Sequence, residues 1–253
     1  GHRQLRCQNG SWALVVVPVC ILYVGIVYNW LGMGVLLTEY GRDHLPYGVV
    51  GMVVFDFLYL LVVVCWLRAV LSDPGFTPNG DAVASALEAG SPPLCDKCGA
   101  EKPARTHHCR ICARCVARYD HHCPWVNNCV GEGNYKSFFL FVIYVELACV
   151  AGLLFLMGRF LLVADYESRD IALFVAIFIM LVAGLMVSGL FFNHIFMISR
   201  NLTTLEGQIR MQQVREKQEI DANCHTDHEY NNGILSNCRQ VLGPHPILWC
   251  CPI

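Results

Sequence analysis

Charged residues are scarce in this sequence, because only 15% of its 253 residues are Asp, Glu, Lys or Arg, whereas 55% are hydrophobic. Soluble domains typically carry about 25% charged residues, so the composition excludes an ordinary soluble protein and favours a membrane protein. Internal repeats at solenoid periods are absent. The formal net charge of −2 says little about partners, but no nucleic-acid-binding signature is present, so no nucleic-acid partner is expected.

Four long apolar segments account for the hydrophobic excess. Each exceeds the roughly 20 residues that a helix needs to cross a bilayer, and a helix satisfies its own backbone there. A cleaved signal peptide is the alternative for the first segment, whose apolar stretch is too long for one. The predicted spans are Trp12–Leu37, Val49–Leu71, Phe138–Val163 and Ile171–Ile198.

Basic residues are distributed very unequally between the loops. The short loops 38–48 and 164–170 carry one arginine each, Arg42 and Arg169, whereas the middle loop 72–137 carries seven basic residues. The positive-inside rule therefore predicts that the middle loop and both tails are cytosolic. Beside a membrane, anionic lipid headgroups are the expected partner of this basic loop.

Seven of the fifteen cysteines fall within residues 95–129, interspersed with histidines. This clustering indicates metal binding in a reducing compartment rather than a disulfide framework. Two tetrahedral zinc sites need eight ligands, so three of eleven candidates are left over, and the sequence does not assign them. A RING-type ubiquitin ligase is the alternative that also uses eight interleaved ligands, but it ends in another C-x2-C pair. Here five residues separate the last two cysteines, Cys123 and Cys129, so the RING fold is disfavoured. The candidates are Cys95, Cys98, His107, His108, Cys109, Cys112, Cys115, His121, His122, Cys123 and Cys129.

Four motifs in order resemble the DHHC family of membrane protein S-acyltransferases (palmitoyltransferases). The DHHC motif is Asp120–Cys123, and its pattern continues to Asn134 and Phe138 without a gap. The others are "DPG" at 73–75, "TTLE" at 203–206 and "NNGILSNCRQVLG" at 231–243. The resemblance covers nearly the whole chain.

The resemblance implies a membrane α-helical fold with four transmembrane helices and a cytosolic zinc-binding lobe between helices 2 and 3. Its parts are helices 1 and 2 (12–71), the lobe (72–137), helices 3 and 4 (138–198) and a cytosolic tail (199–253). It also implies two structural zinc ions. Their ligands are Cys95, Cys98, His108 and Cys115 for the first, and Cys109, Cys112, His122 and Cys129 for the second.

The resemblance makes Asp120, His121 and Cys123 the catalytic group. Palmitoyl-CoA is the implied donor, protein cysteines are the acceptors, and an acyl-Cys123 intermediate gives two-step, ping-pong chemistry. By the same analogy Trp125 lines the mouth of the acyl cavity. Ala148 occupies a third-helix position that sets chain length, where a small residue leaves space for a long chain.

The flanking motifs are expected to support the site. Thr203 resembles the threonine that hydrogen-bonds the catalytic aspartate, Thr204 and Glu206 link the tail to the lobe, and Asp73 and Asn237 act as structural clamps. A helix-capping box is an alternative or additional interpretation of "TTLE". A plain turn is the alternative for "DPG".

Several residues remain outside this assignment. His107 has no implied role. Asp56, Glu146 and His194 lie inside predicted spans, where pairing with each other or with a cavity mouth is favoured over an ion path. Golgi or endoplasmic reticulum is the expected location, with the plasma membrane as the alternative. A catalytically silent zinc module and a transporter are the rival functions.

The last four residues, "CCPI", place Cys250 as in a prenylation box, but the proline and the existing spans argue against prenylation. Acylation of Cys250 and Cys251 is the alternative.

Overall fold

Four long helices dominate the computed structural model, which describes residues 12–36, 45–78, 93–162, 169–217 and 229–252. Each contains a stretch long and apolar enough to cross a bilayer. They are α1 (Ala13–Leu36), α2 (Leu45–Leu71), α3 (Tyr135–Leu162) and α4 (Arg169–Ser199). The predicted membrane α-helical fold, with a cysteine- and histidine-rich segment between the second and third helices, is confirmed.

Helices α2 and α3 begin earlier than the apolar runs predicted. The third helix begins at Tyr135 rather than Phe138, because the Phe138 N–H already donates to the Asn134 carbonyl at 3.0 Å. The polar residues of its first turn belong to the helix, but they are not part of the apolar run from which the span was predicted. The short loops 38–48 and 164–170 fall mostly outside the described residues.

The chain divides into two compact units, and residues 15–65 and 140–192 form the first, here called the helical unit. Its core is aromatic: the Tyr28 ring stacks on Phe55 with centroids 3.7 Å apart, and its hydroxyl donates to the Gly51 carbonyl at 2.9 Å. A Cβ at Gly51 would overlap the Phe155 ring, so glycine permits this close approach.

Large apolar side chains also cover the outside of the helical unit. Several are more than 60% exposed, which would be a strong aggregation liability in water. A surrounding bilayer removes that cost, which agrees with the lengths of the helices. Examples are Val53, Phe57, Leu154, Ile171 and Leu185.

Two of the ionisable residues within the spans have polar neighbours in the helical unit. Asp56 Oδ1 accepts a hydrogen bond from Asn29 Nδ2 at 2.8 Å, and Glu146 Oε1 accepts one from Ser188 Oγ at 2.8 Å. The two carboxylates therefore bond amide and hydroxyl partners rather than each other. These contacts agree with an orienting role.

The second unit, here called the site unit, comprises the described residues of 1–14, 66–139 and 193–253. It contains two short antiparallel hairpins, β1 (His107–Cys109) with β2 (Arg114–Val116) and β3 (His121–Cys123) with β4 (Asn128–Val130). After α4 follow the helices α5 (Thr204–Lys217) and α6 (Ile234–Leu242), then a 3-10 turn over Pro246–Leu248.

The "DPG" motif forms a turn and also contacts the lobe. Asp73 Oδ1 accepts hydrogen bonds from two following backbone N–H groups at 2.8 and 2.9 Å, which closes the turn. The Pro74 carbonyl accepts from the Gly133 N–H, and the Gly75 carbonyl accepts from the Ala117 N–H at 2.8 Å. The motif therefore forms a turn and also docks against the lobe, as both interpretations expect.

Asn237 fastens α6 to the end of α4. Its side chain is fully buried; Nδ2 donates to the Ser199 carbonyl at 2.8 Å and Oδ1 accepts from the Asn232 N–H at 3.0 Å. An amide that donates and accepts at a buried helix junction suits the clamp role expected of it.

Candidate active site and metal centres

Eight cysteine and histidine side chains of the site unit gather into two groups of four. In each group the potential ligand atoms lie within 4.8 Å of one another. The groups contain the same residues as the two ligand sets that the family resemblance implies. The first group is Cys95, Cys98, His108 and Cys115, and the second is Cys109, Cys112, His122 and Cys129.

The spacing within the groups fits a tetrahedral metal ion. Sγ atoms of Cys98 and Cys115 lie 3.6 Å apart, and Cys95 Sγ lies 3.7 Å from His108 Nδ1. In the second group Cys109 Sγ lies 3.8 Å from the His122 ring nitrogen. A tetrahedron with metal–sulfur bonds of about 2.3 Å has edges of about 3.8 Å, and three thiolates with one imidazole are typical of structural zinc sites.

The hairpin register explains why these residues meet. His108 lies opposite Cys115 in the first hairpin, and His122 lies opposite Cys129 in the second. Each hairpin thus brings together a histidine and a cysteine of one group. Cys109 ends β1 but belongs to the second group, so the two groups tie neighbouring hairpins together.

A displaced repeat in the sequence identifies the leftover residues without any structure. Both groups follow the pattern C-x2-C-x9-H-x6-C, and the second is the first shifted by 14 residues. A further shift would begin a third set at Cys123, but Val126 stands where its second cysteine is required. Counting the candidate ligands alone does not reveal this repeat.

Asp120, His121 and Cys123 lie together outside both groups. Asp120 is 1% exposed, and its Oδ2 is 2.7 Å from His121 Nδ1. The buried Cys123 thiol is within hydrogen-bonding reach of the same ring. The order carboxylate, imidazole, thiol is the arrangement that orients a base and activates a nucleophile.

Asp120 and His121 shift each other's pKa. Burial lowers the pKa of His121, but its contacts with the Asp120 carboxylate and Cys123 outweigh burial and raise the pKa to about 9. Burial raises the pKa of Asp120, but the hydrogen bond and charge of His121 hold it below its usual range. At neutral pH the ring is therefore an imidazolium beside a carboxylate.

The "TTLE" segment reaches Asp120 through its backbone. The Thr204 N–H, in the first turn of α5, donates to Asp120 Oδ1 at 2.7 Å. The hydrogen bond expected between Thr203 and Asp120 does not form among the described residues; the Thr203 hydroxyl accepts the Glu206 N–H at 3.2 Å instead. Glu206 Oε2 in turn accepts the Thr203 N–H at 2.8 Å, which completes the capping box.

His194 lies beside His121, a neighbour that the sequence did not indicate. Its ring is 2% exposed, its Nδ1 is 2.8 Å from the Tyr135 hydroxyl, and its centroid is 6.3 Å from that of His121. Phe138 packs edge-on against both histidine rings. A wall of aromatic rings therefore restricts the orientation of His121.

Trp125 is partly exposed two positions after Cys123. Its ring packs edge-on against Trp12 at 5.3 Å, and its carbonyl accepts from Trp66 Nε1 at 3.3 Å. His107 belongs to neither metal group and lies 6.5 Å from the Tyr119 ring. Ala148 is buried in the core of the helical unit.

Asn128 is a further residue that the sequence reasoning missed. Its Nδ2 donates to the carbonyls of Ala69 at 3.1 Å and Ser72 at 2.9 Å, which satisfies the last turn of α2. Because Asn128 lies opposite Cys123 in the hairpin, it ties the strand pair that carries Cys123 to that helix end.

Comparison with known proteins identifies relatives over nearly the whole chain. The sequence model of the DHHC palmitoyltransferase family matches residues 89–211. Probable protein S-acyltransferase 16 of Arabidopsis thaliana is 31% identical over 97% of this chain and 90% of its own length. Palmitoyltransferase ZDHHC3 of Homo sapiens is 42% identical over 62% of this chain and 50% of its own length. Palmitoyltransferase ZDHHC7 of Mus musculus is 45% identical over 43% and 37%.

Matched threonine variants test the capping geometry. Thr203→Val removes the hydroxyl that accepts the Glu206 N–H, so we expect the free energy of unfolding to fall by about 1 kcal/mol. Thr204→Val removes a buried hydroxyl without a hydrogen-bond partner among the described residues, so stability should change little. Thermal unfolding in detergent compares them, and a larger loss for Thr204→Val would contradict the assignment.

Proposed function

The chain belongs to the DHHC palmitoyltransferase family, and we propose that it moves a long-chain acyl group from acyl-CoA to protein cysteines through an acyl-Cys123 intermediate. The observation that supports this most strongly is the Asp120–His121–Cys123 contact, which remains after eight other ligands fill two metal groups. A catalytically silent zinc module would give no reason for such a remainder.

The proposed chemistry has two balanced steps. The Cys123 thiolate attacks the thioester carbonyl, the carbon–sulfur bond to CoA breaks, and the CoA thiolate takes the proton held by His121. A substrate thiol then returns a proton to His121 and attacks the acyl group, and the Cys123 thiolate leaves. Asp120 stabilises the imidazolium while His121 is protonated and keeps the ring oriented in both steps.

Two zinc ions are proposed to be structural. The eight cysteine and histidine ligands would close both coordination shells and leave no position for water, so each zinc would supply rigidity rather than chemistry. The ligation of His122 and Cys129 would fix the strands on either side of Cys123.

We place the active site on the cytosolic face of a Golgi or endoplasmic reticulum membrane, with the plasma membrane as the alternative. The seven basic residues of segment 72–137 support the cytosolic face. The donor acyl-CoA and the cysteine-containing substrate proteins would meet the enzyme there. Protease protection of sealed microsomes measures the orientation, and a protected lobe would contradict it.

Loss of the nucleophile is the decisive test of the activity. With labelled palmitoyl-CoA, the purified protein should acquire a covalent label, and Cys123→Ser should lose it while keeping its bound metal. Cys238→Ser, a half-buried thiol on α6, is the matched control and should keep the label. Equal labelling of the wild type and Cys123→Ser would refute the proposed enzyme activity. Absence of label from both proteins would favour a catalytically silent zinc module or a transporter.

Adjacent histidines provide a matched test of the metal assignment. His108→Ala removes one ligand of the first group, and we expect the zinc content to fall and the folded yield with it, because metal binding is coupled to folding. His107→Ala alters the neighbouring residue on the same strand, outside both groups, and should retain the full zinc content. Metal analysis of the purified proteins measures both, and zinc lost equally from the two variants would contradict the ligand sets.

Ala148 is proposed to leave room for the end of a long chain. Its burial in the apolar core of the helical unit supports a packing role. Ala148→Phe should shift donor preference from palmitoyl-CoA toward myristoyl-CoA by about tenfold, the effect of a small change in an apolar pocket. Competition between the two donors measures it. An unchanged preference, or a wild type that sharply prefers the shorter donor, would refute the proposal.

A further inference from the structure

Asn201 is a buried residue at the centre of a polar cluster in the site unit, and its side-chain amide uses its full hydrogen-bonding capacity. Oδ1 accepts from Arg105 Nη1 at 3.1 Å and from Arg118 Nη2 at 2.6 Å. Nδ2 donates to the Tyr230 carbonyl at 2.7 Å and to Gln240 Oε1 at 2.8 Å. Because an amide forms two bonds as donor and two as acceptor, no isosteric side chain can replace it.

The backbone is strained at three members of the cluster. Arg105, Arg118 and Asn201 have positive φ values of 63°, 46° and 53°, a region that residues with side chains rarely adopt. Such conformations persist only where the surroundings hold them, and they concentrate at functional sites. The positive φ values therefore indicate that surrounding contacts hold the two guanidinium groups around the Asn201 amide.

Arg105 connects the cluster to the capping box. Its Nε and Nη2 donate to the two carboxylate oxygens of Glu206, both at 2.7 Å, while Nη2 also donates to the Asn201 carbonyl at 2.8 Å. Glu206 is the residue that caps the first turn of α5, and the Thr204 N–H of that turn donates to Asp120. A continuous set of bonds therefore joins Asn201 to the carboxylate that orients His121.

The other side of the cluster is the C-terminal segment. Gln240 lies on α6, and the Tyr230 ring lies under the Arg105 guanidinium at 4.6 Å. These contacts place Tyr230 of the C-terminal segment against Arg105, which holds Glu206, and Gln240 against Asn201. Lysine cannot reproduce the two-pronged contact of Arg105.

We propose that Arg105, Arg118 and Asn201 are positioning residues through which the C-terminal segment 230–243 fixes the Asp120 carboxylate against His121. The inference rests on the proposed acyl transfer and deepens it by adding residues remote from the reacting atoms. A role limited to stability would change the amount of folded protein, whereas a positioning role changes the rate constant of acylation in protein that is fully folded.

The test measures acyl-enzyme formation in single turnovers with palmitoyl-CoA. Because a displacement of about 1 Å in a catalytic group can cost about 100-fold in rate, Arg105→Lys should lower the saturating rate constant by at least about tenfold, with little change in the half-saturating donor concentration. The rate at which iodoacetamide alkylates Cys123, followed by peptide mass spectrometry, should fall in parallel. Arg215→Lys, on the exposed side of α5, is the matched control.

Gln240→Ala tests the connection to the tail without altering the lobe, and Gln213→Ala, exposed on α5, is its control. Zinc content and thermal unfolding of every variant verify the fold. A slower acylation for Gln240→Ala at unchanged zinc content supports the inference, also where Arg105→Lys fails to fold. Wild-type rates for Gln240→Ala, or for a folded Arg105→Lys, would overturn it. A wild type that forms no acyl-enzyme would instead refute the proposed function.

Discussion

The site unit depends on two four-ligand groups whose members interleave along the chain. The segment that carries them has short three-residue strands and few buried apolar side chains, so packing alone gives it little stability. A structural zinc ion bound by each group would contribute on the order of 10 kcal/mol to the stability of this segment. Because Cys109 joins the second group while its neighbour His108 joins the first, neither hairpin can move without disturbing both groups of ligands.

That constraint also supports the proposed catalytic group of Asp120, His121 and Cys123. Side chains of neighbouring residues on a regular strand point to opposite faces, so the two-residue step from His121 to Cys123 places both on one face of β3, while His122 faces the second metal group. Metal bound by His122 and Cys129 would pin this hairpin, and the first turn of α5 holds Asp120.

Much of this organisation follows from the sequence. Apolar runs predicted four spans, and the spacing of cysteines and histidines predicted two metal groups. The ligand count left three of eleven candidates over without identifying them, and the family resemblance made them His107, His121 and Cys123, although the 14-residue displaced repeat already separates Cys123 from the ligands. The contacts of Asn201, Asn128 and His194 could not be predicted, because each joins elements far apart in the chain through side chains whose partners no local pattern specifies. The sequence also did not show that the backbone N–H of Thr204, rather than Thr203, bonds Asp120, because every residue other than proline offers a backbone donor.

The central claim is that eight ligands hold metal while Cys123 remains available for acylation. Native mass spectrometry of the purified protein, before and after palmitoyl-CoA, tests it most directly. We expect a species that carries two zinc ions and one acyl group together, with the acyl group mapped to Cys123. Acylation that appears only when zinc is lost, or that maps to a cysteine of either metal group, would contradict it.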